Sequence, residues 1–425
     1  MTAAAPTIAF LGLFGSPNLG NEATLWAFLE NVRARLPGVR FLCIAPSQSQ
    51  VGPMYGIDLR AIDPWPMAAR FWRLRPDALR TAAIELAERC TEPRRRRLAA
   101  EALAGVDLLV IPGTGLIDDF GQRPLDMPTH LDRWTAAAQH RGVPVAFLSV
   151  GVSTIKHPAS QALFARSLAR AGYCSFRDAA SAGNATALGH GPNGVVCPDL
   201  AFSLPARDWP ADRRTAAHRA VGVGVMGYFG WNASAEQGRR IYATYRERLD
   251  TLVRGLLDRG LHVHLLGGDT RADQGTVDEV RAAHAQHGAD RLHAPRIGNF
   301  RDVLDAIAAT DLVVASRFHN ILLALKMGRQ AISLGYSDKN DAVMSLFGLQ
   351  AYCHDIERFD PAAVLAQVDA LTTRHEPAYD DLPQVVQRAR EQLAGQYDAL
   401  CRPWMPPSAG LPQPLQGAQG MRQAR

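Results

Sequence analysis

The sequence predicts an α/β fold of two Rossmann-like, doubly wound domains that face each other across a cleft. Apolar runs of strand length alternate with helical periodicity, these runs are rich in Val, Ile and Leu, and the alternation restarts after a polar stretch near the middle. Continuous apolar strands separated by helices indicate parallel sheets that are covered on both faces. The length of 425 residues also favours two domains.

The first domain is predicted over residues 1–205. Its first strand, 7–14, runs into a helix over 21–36, where Leu25, Leu29, Val32 and Leu36 share one face and Pro37-Gly38 ends the helix. The further strand candidates are 39–45, 106–111, 144–150, 173–176 and 195–197.

A polar, Pro-containing linker is predicted over 204–218, and the second domain over 206–380. Its strand candidates are 220–226, 261–266, 312–315 and 330–334. A final helix is expected over 381–402, packing back on the first domain. The tail 403–425 is rich in Pro, Gly and Gln and is predicted to be disordered. Ligands of such folds bind beyond the carboxyl ends of the strands.

Composition narrows the function classes. The formal charge of +5 is carried almost wholly by arginine, since Lys156, Lys326 and Lys339 are the only lysines. Arginine suits bidentate recognition of phosphate and carboxylate. No basic stripe with interleaved aromatic residues occurs, so we expect no nucleic-acid partner. The mild positive charge therefore favours small anionic ligands.

Several features predict a cytoplasmic protein. The six cysteines lie far apart without a C-x-x-C pair, which favours buried thiols over disulfides. The first residues resemble a core strand and not a signal peptide, and no apolar run is long enough to span a bilayer. The run Arg94–Arg97 is most simply a solvated helix start, and it leaves a peripheral contact with the inner face of a membrane open.

Two glycine-rich strand exits are candidate ligand sites. In the first, Gly15, Asn18, Gly20 and Glu22 precede or begin a helix, whose free N–H groups favour anions. The alternative interpretation is a plain strand-to-helix turn with an Asn cap. The loop is neither G-x-G-x-x-G nor a Walker loop, so it indicates neither nucleotide class.

The second exit is Gly113-Thr114-Gly115, which also follows an apolar strand. Asp118 and Asp119 come after it and are candidates for binding sugar hydroxyls or for capping the next helix. We expect a cap for one of them.

Arg177 closes the strand 173–176, where it is predicted to point toward the cleft and hold a phosphate or carboxylate. The competing interpretation is an ion pair with Asp178, which we discount because adjacent strand residues face opposite sides.

The strongest candidate is Ser316-Arg317-Phe318-His319, between the strand 312–315 and a helix over 321–327. It brings a guanidinium, an imidazole and a helix N-terminus together, which suits an anion and a proton transfer. Lys339 follows the next strand and is predicted to reach the same anion, although a solvated loop position explains it nearly as well. His262, His264 and His293 lack a matching carboxylate or Cys cluster, so no metal is predicted.

In their order along the chain, these motifs resemble the polysaccharide pyruvyl transferase family from about Ile8 to Leu349. The resemblance rests on the loop 15–22, Gly113-Thr114-Gly115-Leu116, the segment 149–152, Phe176-Arg177-Asp178 with Ser181, the segment 198–202 around Asp199, Ser316-Arg317-Phe318-His319 and Tyr336-Ser337-Asp338-Lys339. Two positions depart from the family pattern. Asn21 stands where the family often has Asp, and Thr114 interrupts the second glycine run.

The resemblance implies a glycosyltransferase-B type of fold, with phosphoenolpyruvate as co-substrate, a carbohydrate acceptor and no further cofactor. It assigns Arg177 and Arg317 to the donor's phosphate and carboxylate and His319 to catalytic acid. The first domain is then the acceptor side and the second the donor side. Asp199 and Glu22 join Asp118 and Asp119 as candidate bases.

Two alternatives stay open at this point. One is a nucleotide-sugar glycosyltransferase of the same fold, although no glutamate occurs between Glu279 and Glu357 for the paired-glutamate motif of retaining members. The other is a non-catalytic sugar- or anion-binding component of polysaccharide assembly. The acceptor sugar, its link to a lipid, the ketal stereochemistry and the oligomeric state are also open.

Overall fold

A computed structural model describes residues 5–65, 77–120, 122–191, 194–205, 219–230, 233–288, 290–374 and 376–405. The predicted linker from residue 206 onward and the predicted disordered tail from residue 406 onward lie outside these ranges. The chain divides into two compact units. The first comprises Met1–Ser16, Phe28–Leu200 and Ala394–Arg425, and the second comprises Pro17–Ala27 and Ala201–Leu393.

The first unit contains a parallel sheet in the strand order β3-β2-β1-β4-β5-β6-β7. Central strands such as β4 and β5 are buried along their whole length because helices cover both faces. The strands are β1 (Thr7–Leu11), β2 (Arg40–Ala45), β3 (Asp58–Ala61), β4 (Leu108–Pro112), β5 (Val145–Val150), β6 (Tyr173–Phe176) and β7 (Val195–Val196).

The six described helices that precede β7 in the sequence begin and end near residues that cap or stop helices. Asp178 caps the helix that follows β6, and its Oδ1 accepts the Ser181 N–H at 2.7 Å. The helices are α1 (Leu19–Arg35), α2 (Val51–Tyr55), α3 (Asp77–Ala102), α4 (Met127–His140), α5 (Pro158–Ala169) and α6 (Ala179–Ala187). The residues Pro17–Ala27, which include the first half of α1, group with the second unit.

The interpretation of Arg94–Arg97 as a helix start is wrong, because these residues lie well inside α3, although Arg94 and Arg97 are exposed as predicted. Arg95 is buried and pairs with Asp63 at 3.2 Å, while the Arg94 guanidinium stacks over Trp65. Arg96 and Arg97 also have carboxylate partners. Ion pairs and ring stacking within the first unit therefore account for this run.

The second unit contains a six-stranded parallel sheet in the order β10-β9-β8-β11-β12-β13. Its strands are β8 (Ala220–Gly224), β9 (His262–Leu266), β10 (Leu292–His293), β11 (Leu312–Ala315), β12 (Gln330–Gly335) and β13 (Cys353–Asp355). The remaining helices are α7 (Ala235–Asp258), α8 (Gln274–Ala283), α9 (Phe300–Ala308), α10 (Phe318–Lys326), α11 (Asp338–Leu346), α12 (Pro361–Thr373) and α13 (Leu382–Cys401).

In both sheets the first strand lies in the middle, the next two strands extend to one edge, and the later strands extend to the other edge. Each unit is therefore doubly wound, and the predicted fold class is confirmed. The switch point lies between β1 and β4 in the first sheet and between β8 and β11 in the second. The helices of the described ranges include none that is both long and apolar enough to cross a bilayer.

Candidate active site

The exit of β11 forms a corner of polar groups in the second unit. Ser316 is fully buried, and its carbonyl accepts a hydrogen bond from Nδ2 of Asn340 at 2.9 Å. Arg317 occupies the N-cap position of α10 with extended backbone angles, and His319 lies in the first turn. Helix N-termini carry unpaired N–H groups and a partial positive charge. The corner therefore combines these groups with a guanidinium and an imidazole, as the sequence predicts.

A buried carboxylate that the sequence did not reveal holds Arg317. The Nε of Arg317 donates to Asp273 Oδ2 at 3.0 Å, and Nη2 donates to Oδ1. Asp273 is fully buried and also accepts the backbone N–H groups of Gly227, Gly268 and Asp269 at 2.9–3.1 Å. Burial lowers the pKa of Arg317, but the charge and hydrogen bonds of Asp273 outweigh it and raise that pKa. One edge of the guanidinium is thus held in a fixed orientation.

Two glycines make room for the side chains of Arg317 and His319. A Cβ at Gly268 would lie 2.9 Å from Cγ of Arg317. A Cβ at Gly20 would overlap Nδ1 of His319. The absence of side chains at both positions therefore allows the backbone to lie directly against the arginine and the imidazole.

The first glycine-rich loop contacts the exit of β9. Leu19 N–H donates to the Gly268 carbonyl at 3.1 Å, and Thr270 N–H donates to the Pro17 carbonyl at 3.0 Å. The side chain of Asn18 accepts the Gly20 N–H at 3.1 Å, which caps the start of α1. These bonds bring Asn18 and Gly20 to the His319 corner.

The other two predicted residues of this loop have different surroundings. Gly15 has a φ of 65° and groups with the first unit, where a Cβ would meet the backbone N of Gln50 at 2.6 Å. Glu22 is 8% exposed and accepts a hydrogen bond from the backbone of Phe300 at the start of α9. Burial raises the pKa of Glu22, and the Phe300 bond partly opposes this shift.

Lys339 lies in the first turn of α11, in the second unit. Its Nζ lies 4.5 Å from the centre of the Tyr336 ring, a cation–π contact. The charge of the Tyr336 phenol also contributes to the raised pKa of Arg317. Lys339 and Arg317 therefore both interact with Tyr336 in the second unit.

The exit of β4 in the first unit has an unusual backbone. Gly113 and Thr114 have φ values of 56° and 65°, and Thr114 is buried. A β-branched residue rarely adopts such angles, and strained backbone of this kind clusters at functional sites. The Gly151 N–H donates to the Thr114 carbonyl at 2.9 Å, so this exit is joined to that of β5. A Cβ at Gly115 would meet no atom of the described residues within 4 Å.

Arg177 lies directly against the backbone at the exit of β5. A Cβ at Gly151 would be 2.6 Å from Cζ of Arg177. The guanidinium also lies 3.4 Å from a carboxylate oxygen of Asp178 and 3.9 Å from one of Asp199. The expectation that Asp178 faces away from Arg177 is wrong, because Asp178 is the extended N-cap of α6 and no longer follows the strand alternation. Gly113, Thr114, Arg177 and Asp199 therefore belong to neighbouring strand exits of one unit.

The expectation that Asp118 or Asp119 caps the next helix is also wrong. Asp118 accepts the Phe120 N–H at 2.8 Å and the Ser153 hydroxyl at 3.1 Å. Asp119 accepts the backbone N–H groups of Lys156 and His157 at 2.9 and 2.7 Å. Both carboxylates join the loops after β4 and β5, while Asp126 occupies the N-cap position of α4.

The model of the polysaccharide pyruvyl transferase family matches residues 18–338, three quarters of the chain. The chain belongs to the polysaccharide pyruvyl transferase family. The matched range contains the two glycine-rich loops from Asn18 onward, Arg177 and the Ser316–His319 corner. Gly15 and Lys339 lie just outside this range.

A curated relative of this family member is the amylovoran biosynthesis protein AmsJ of Erwinia amylovora. The two are 23% identical over 164 residues, which cover 35% of this chain and 36% of AmsJ. The aligned part of this chain thus covers about a third of the length of AmsJ.

Solved structures share the fold of this family member at low identity. The UDP complex of S. aureus MnaA has a TM-score of 0.60 at 10% identity and covers 95% of this chain and 100% of its own. A glycosyltransferase from Rickettsia africae has a TM-score of 0.56 at 10% identity and covers 94% and 98%. The neighbours are glycosyltransferase-B type proteins, so the predicted fold type is confirmed.

The three histidines that we set aside as metal ligands contact one another in the second unit. Nδ1 of His262 lies 3.1 Å from Nε2 of His293. Burial and the neighbouring histidines lower the pKa of His264 to about 4. Over the described ranges, no group of three or more His, Cys, Asp or Glu side chains has an arrangement that could hold a metal ion.

Proposed function

We propose that this protein transfers a pyruvyl group from phosphoenolpyruvate to a sugar of a polysaccharide, glycolipid or oligosaccharide precursor and releases phosphate. Membership of the polysaccharide pyruvyl transferase family supports the reaction class. The name of the AmsJ relative, a protein of amylovoran biosynthesis, is consistent with such an acceptor. The observation that carries the proposal is the corner where Arg317, His319 and the N-terminus of α10 meet.

The proposed chemistry uses these groups in a balanced sequence. His319, as imidazolium, gives a proton to C3 of the enol, and a sugar hydroxyl oxygen attacks C2 as it loses its own proton to a base. The C2–O bond to phosphate then breaks, and phosphate departs with the bonding electrons. A second hydroxyl of the same sugar attacks C2 to close a cyclic ketal and gives its proton to the departing phosphate. The proton taken up by the base returns through solvent to His319 and restores both groups. Arg317 and Lys339 bind the donor's negative charge and stabilise the departing phosphate. Asn18, Gly20 and Ser316 line this corner and are proposed to bind the substrate.

Arg177 is a proposed second ligand of the donor's charge, and the strand exits at Gly113, Thr114 and Gly115 are proposed to bind the acceptor. Asp199 and Glu22 remain candidate bases for the acceptor hydroxyl. Asp118 and Asp119 each accept two hydrogen bonds that join the loops after β4 and β5, so we assign them a structural role. No further cofactor takes part in this proposal. A lipid-linked acceptor would bring the protein to the inner face of a membrane, so free and lipid-linked acceptors are both tested.

The test replaces His319 by Gln and measures phosphate released from phosphoenolpyruvate in the presence of candidate acceptors. General acid catalysis contributes about 10²–10⁴-fold, so kcat should fall by roughly that factor. His287→Gln is the matched control, because His287 is half exposed and pairs only with surface Asp258 in the described contacts.

Unchanged turnover in the His319→Gln protein would remove His319 from the mechanism. Release of nucleotide from a nucleotide-sugar, without phosphate release from phosphoenolpyruvate, would indicate the glycosyltransferase alternative. Donor binding without turnover on any acceptor would indicate a non-catalytic binding component.

A further inference from the structure

A buried polar cluster in the first unit surrounds an irregularity in β5. The pairing register between β5 and β6 shifts between Phe147 and Val150, and Ser149 within this stretch has a φ of 50°. Ser149 is fully buried. A serine with positive φ is strained and persists only when its surroundings hold it in place.

Gln396 of α13 supplies much of what holds Ser149. Its Nε2 donates to Ser149 Oγ at 3.2 Å, and its Oε1 accepts the hydroxyls of Ser175 and Tyr173. The Ser175 hydroxyl oxygen in turn accepts the Ser149 N–H at 2.7 Å. Gln396 is 1% exposed. The cluster therefore satisfies both ends of the buried amide, which makes it a rigid network.

The irregularity sets the position of Arg177. Immediately after Ser149, the Val150 carbonyl accepts the Arg177 N–H at 3.2 Å, and the backbone of Gly151 lies against the guanidinium. The Gly151 N–H also donates a hydrogen bond to the Thr114 carbonyl. A regular strand at Ser149 would turn Val150 and Gly151 to other faces, because successive strand residues alternate. Both Arg177 and the Thr114 exit depend on this local shift.

We propose that Gln396 is a positioning residue for the active site, which holds Ser149 in its strained conformation and thereby fixes Arg177. Gln396 lies on α13, beyond the range that the family model matches. The proposal rests on the proposed function only where activity is the readout, since the conformation of Ser149 can be followed independently.

The test replaces Gln396 by Met, which has similar length and no amide. Arg177 is proposed to bind the donor equally in the ground and transition states, so KM for phosphoenolpyruvate should rise about 10- to 100-fold while kcat changes little. Gln387→Met is the matched control, because Gln387 lies exposed on the same helix and its described bond is to Glu391. This control should keep the wild-type KM.

Rescue separates positioning from simple loss of stability. Glycine adopts positive φ without strain, so adding Ser149→Gly to the Gln396→Met protein should return KM toward the wild-type value. Amide hydrogen exchange at Gly151 and Arg177 should accelerate at least tenfold in the single variant relative to strands of the second unit, and slow again in the double variant. If Gln396→Met does not fold, Ser175→Ala removes the neighbouring hydroxyl and should produce the same changes.

Several outcomes overturn the proposal. The first is an unchanged KM for phosphoenolpyruvate in a folded Gln396→Met protein, and the second is a loss confined to kcat. The third is a double variant whose amide hydrogen exchange and KM equal those of Gln396→Met alone. If the wild-type protein turns over no phosphoenolpyruvate, the proposed function fails. The exchange measurements would still decide the role of Gln396.

Discussion

Arg317 shows how the structure restricts a single side chain. Its Nε and one Nη2 hydrogen face Asp273, so the remaining N–H groups are oriented before any ligand arrives. Lysine could not reproduce this arrangement, because only the guanidinium has a planar fork that matches a carboxylate. Asp273 therefore neutralises part of the positive charge of Arg317 and fixes the orientation of its guanidinium.

Removing this partner should destabilise the protein strongly. We expect Asp273→Asn to lower the free energy of unfolding by about 3–5 kcal/mol, since it leaves a mostly buried guanidinium without its counter-charge. Urea unfolding measures the change. Asp369→Asn is the control, because Asp369 pairs with Arg259 at the surface and should cost at most about 1 kcal/mol. Equal losses in the two variants would contradict the structural role of Asp273.

Glu22 predicts a pH dependence of stability. Burial raises its pKa in the folded state, so the folded protein holds a proton more tightly than the unfolded chain. Stability from this group is therefore greatest below the unfolded pKa of about 4.3 and falls as pH rises to the folded pKa. Gln keeps an acceptor for the Phe300 N–H and carries no charge. Glu22→Gln should thus raise Tm at pH 7 and have little effect near pH 4.

Thermal unfolding at the two pH values checks this expectation, with Glu279→Gln as an exposed control. A lower Tm at pH 7 in Glu22→Gln would contradict it. Loss of phosphate release in a stabilised Glu22→Gln protein would support Glu22 as the base for the acceptor hydroxyl.

At the scale of elements, α1 illustrates a conflict between helix propensity and function. Alanine usually stabilises a helix by about 0.5–1 kcal/mol relative to glycine. At Gly20, however, the new methyl group would overlap His319, so Gly20→Ala should displace the imidazole and lower kcat by at least about tenfold. The exposed Gly183 of α6 has no atom of the described residues within 4 Å of such a methyl group.

Gly183→Ala is therefore the matched control and should raise Tm slightly with unchanged turnover. Phosphate-release kinetics and thermal unfolding measure both variants. Full activity in Gly20→Ala would show that His319 does not need its present position.

Strands with a continuous apolar run could be predicted closely from the sequence, and strands without one could not. The strands β6 and β11 have the predicted bounds, because their apolar runs end where burial ends. The edge strand β7 was predicted within one residue, because Val195, Val196 and Cys197 form an apolar run. The edge strands β3, β10 and β13 were not predicted, since they lack such a run. The first helix begins at Leu19, two residues earlier than predicted, because the Asn18 side chain caps it.

For the whole molecule, sequence motifs predicted the family and the local corners but missed the residues that hold them. Asp273 is 44 positions from Arg317, and Gln396 is 247 from Ser149. Neither belongs to a recognisable motif, because a long-range contact leaves no local periodicity. Gly267 and Gly268 offered a signal for Asp273, because they follow β9 at the same edge of the sheet as the exit of β11.

The C-terminal segment should be essential for the first unit. Residues from Ala394 onward group with that unit, and Tyr397, Leu400 and Cys401 belong to its buried residues. A chain ending at Leu393 should therefore unfold at lower urea concentration than a chain ending at Met405, or fail to accumulate as folded protein. Indistinguishable urea unfolding curves would contradict this assignment.

The distribution of the six unpaired cysteines has a practical consequence. Cys90 on α3 is exposed, whereas burial raises the pKa of the Cys174, Cys197, Cys353 and Cys401 thiols to about 12 and that of Cys43 still further. Thiolates are the reactive species toward maleimides. A fluorescent maleimide at neutral pH should therefore label the native protein once, at Cys90, and provide an optical probe of the first unit without any engineered site.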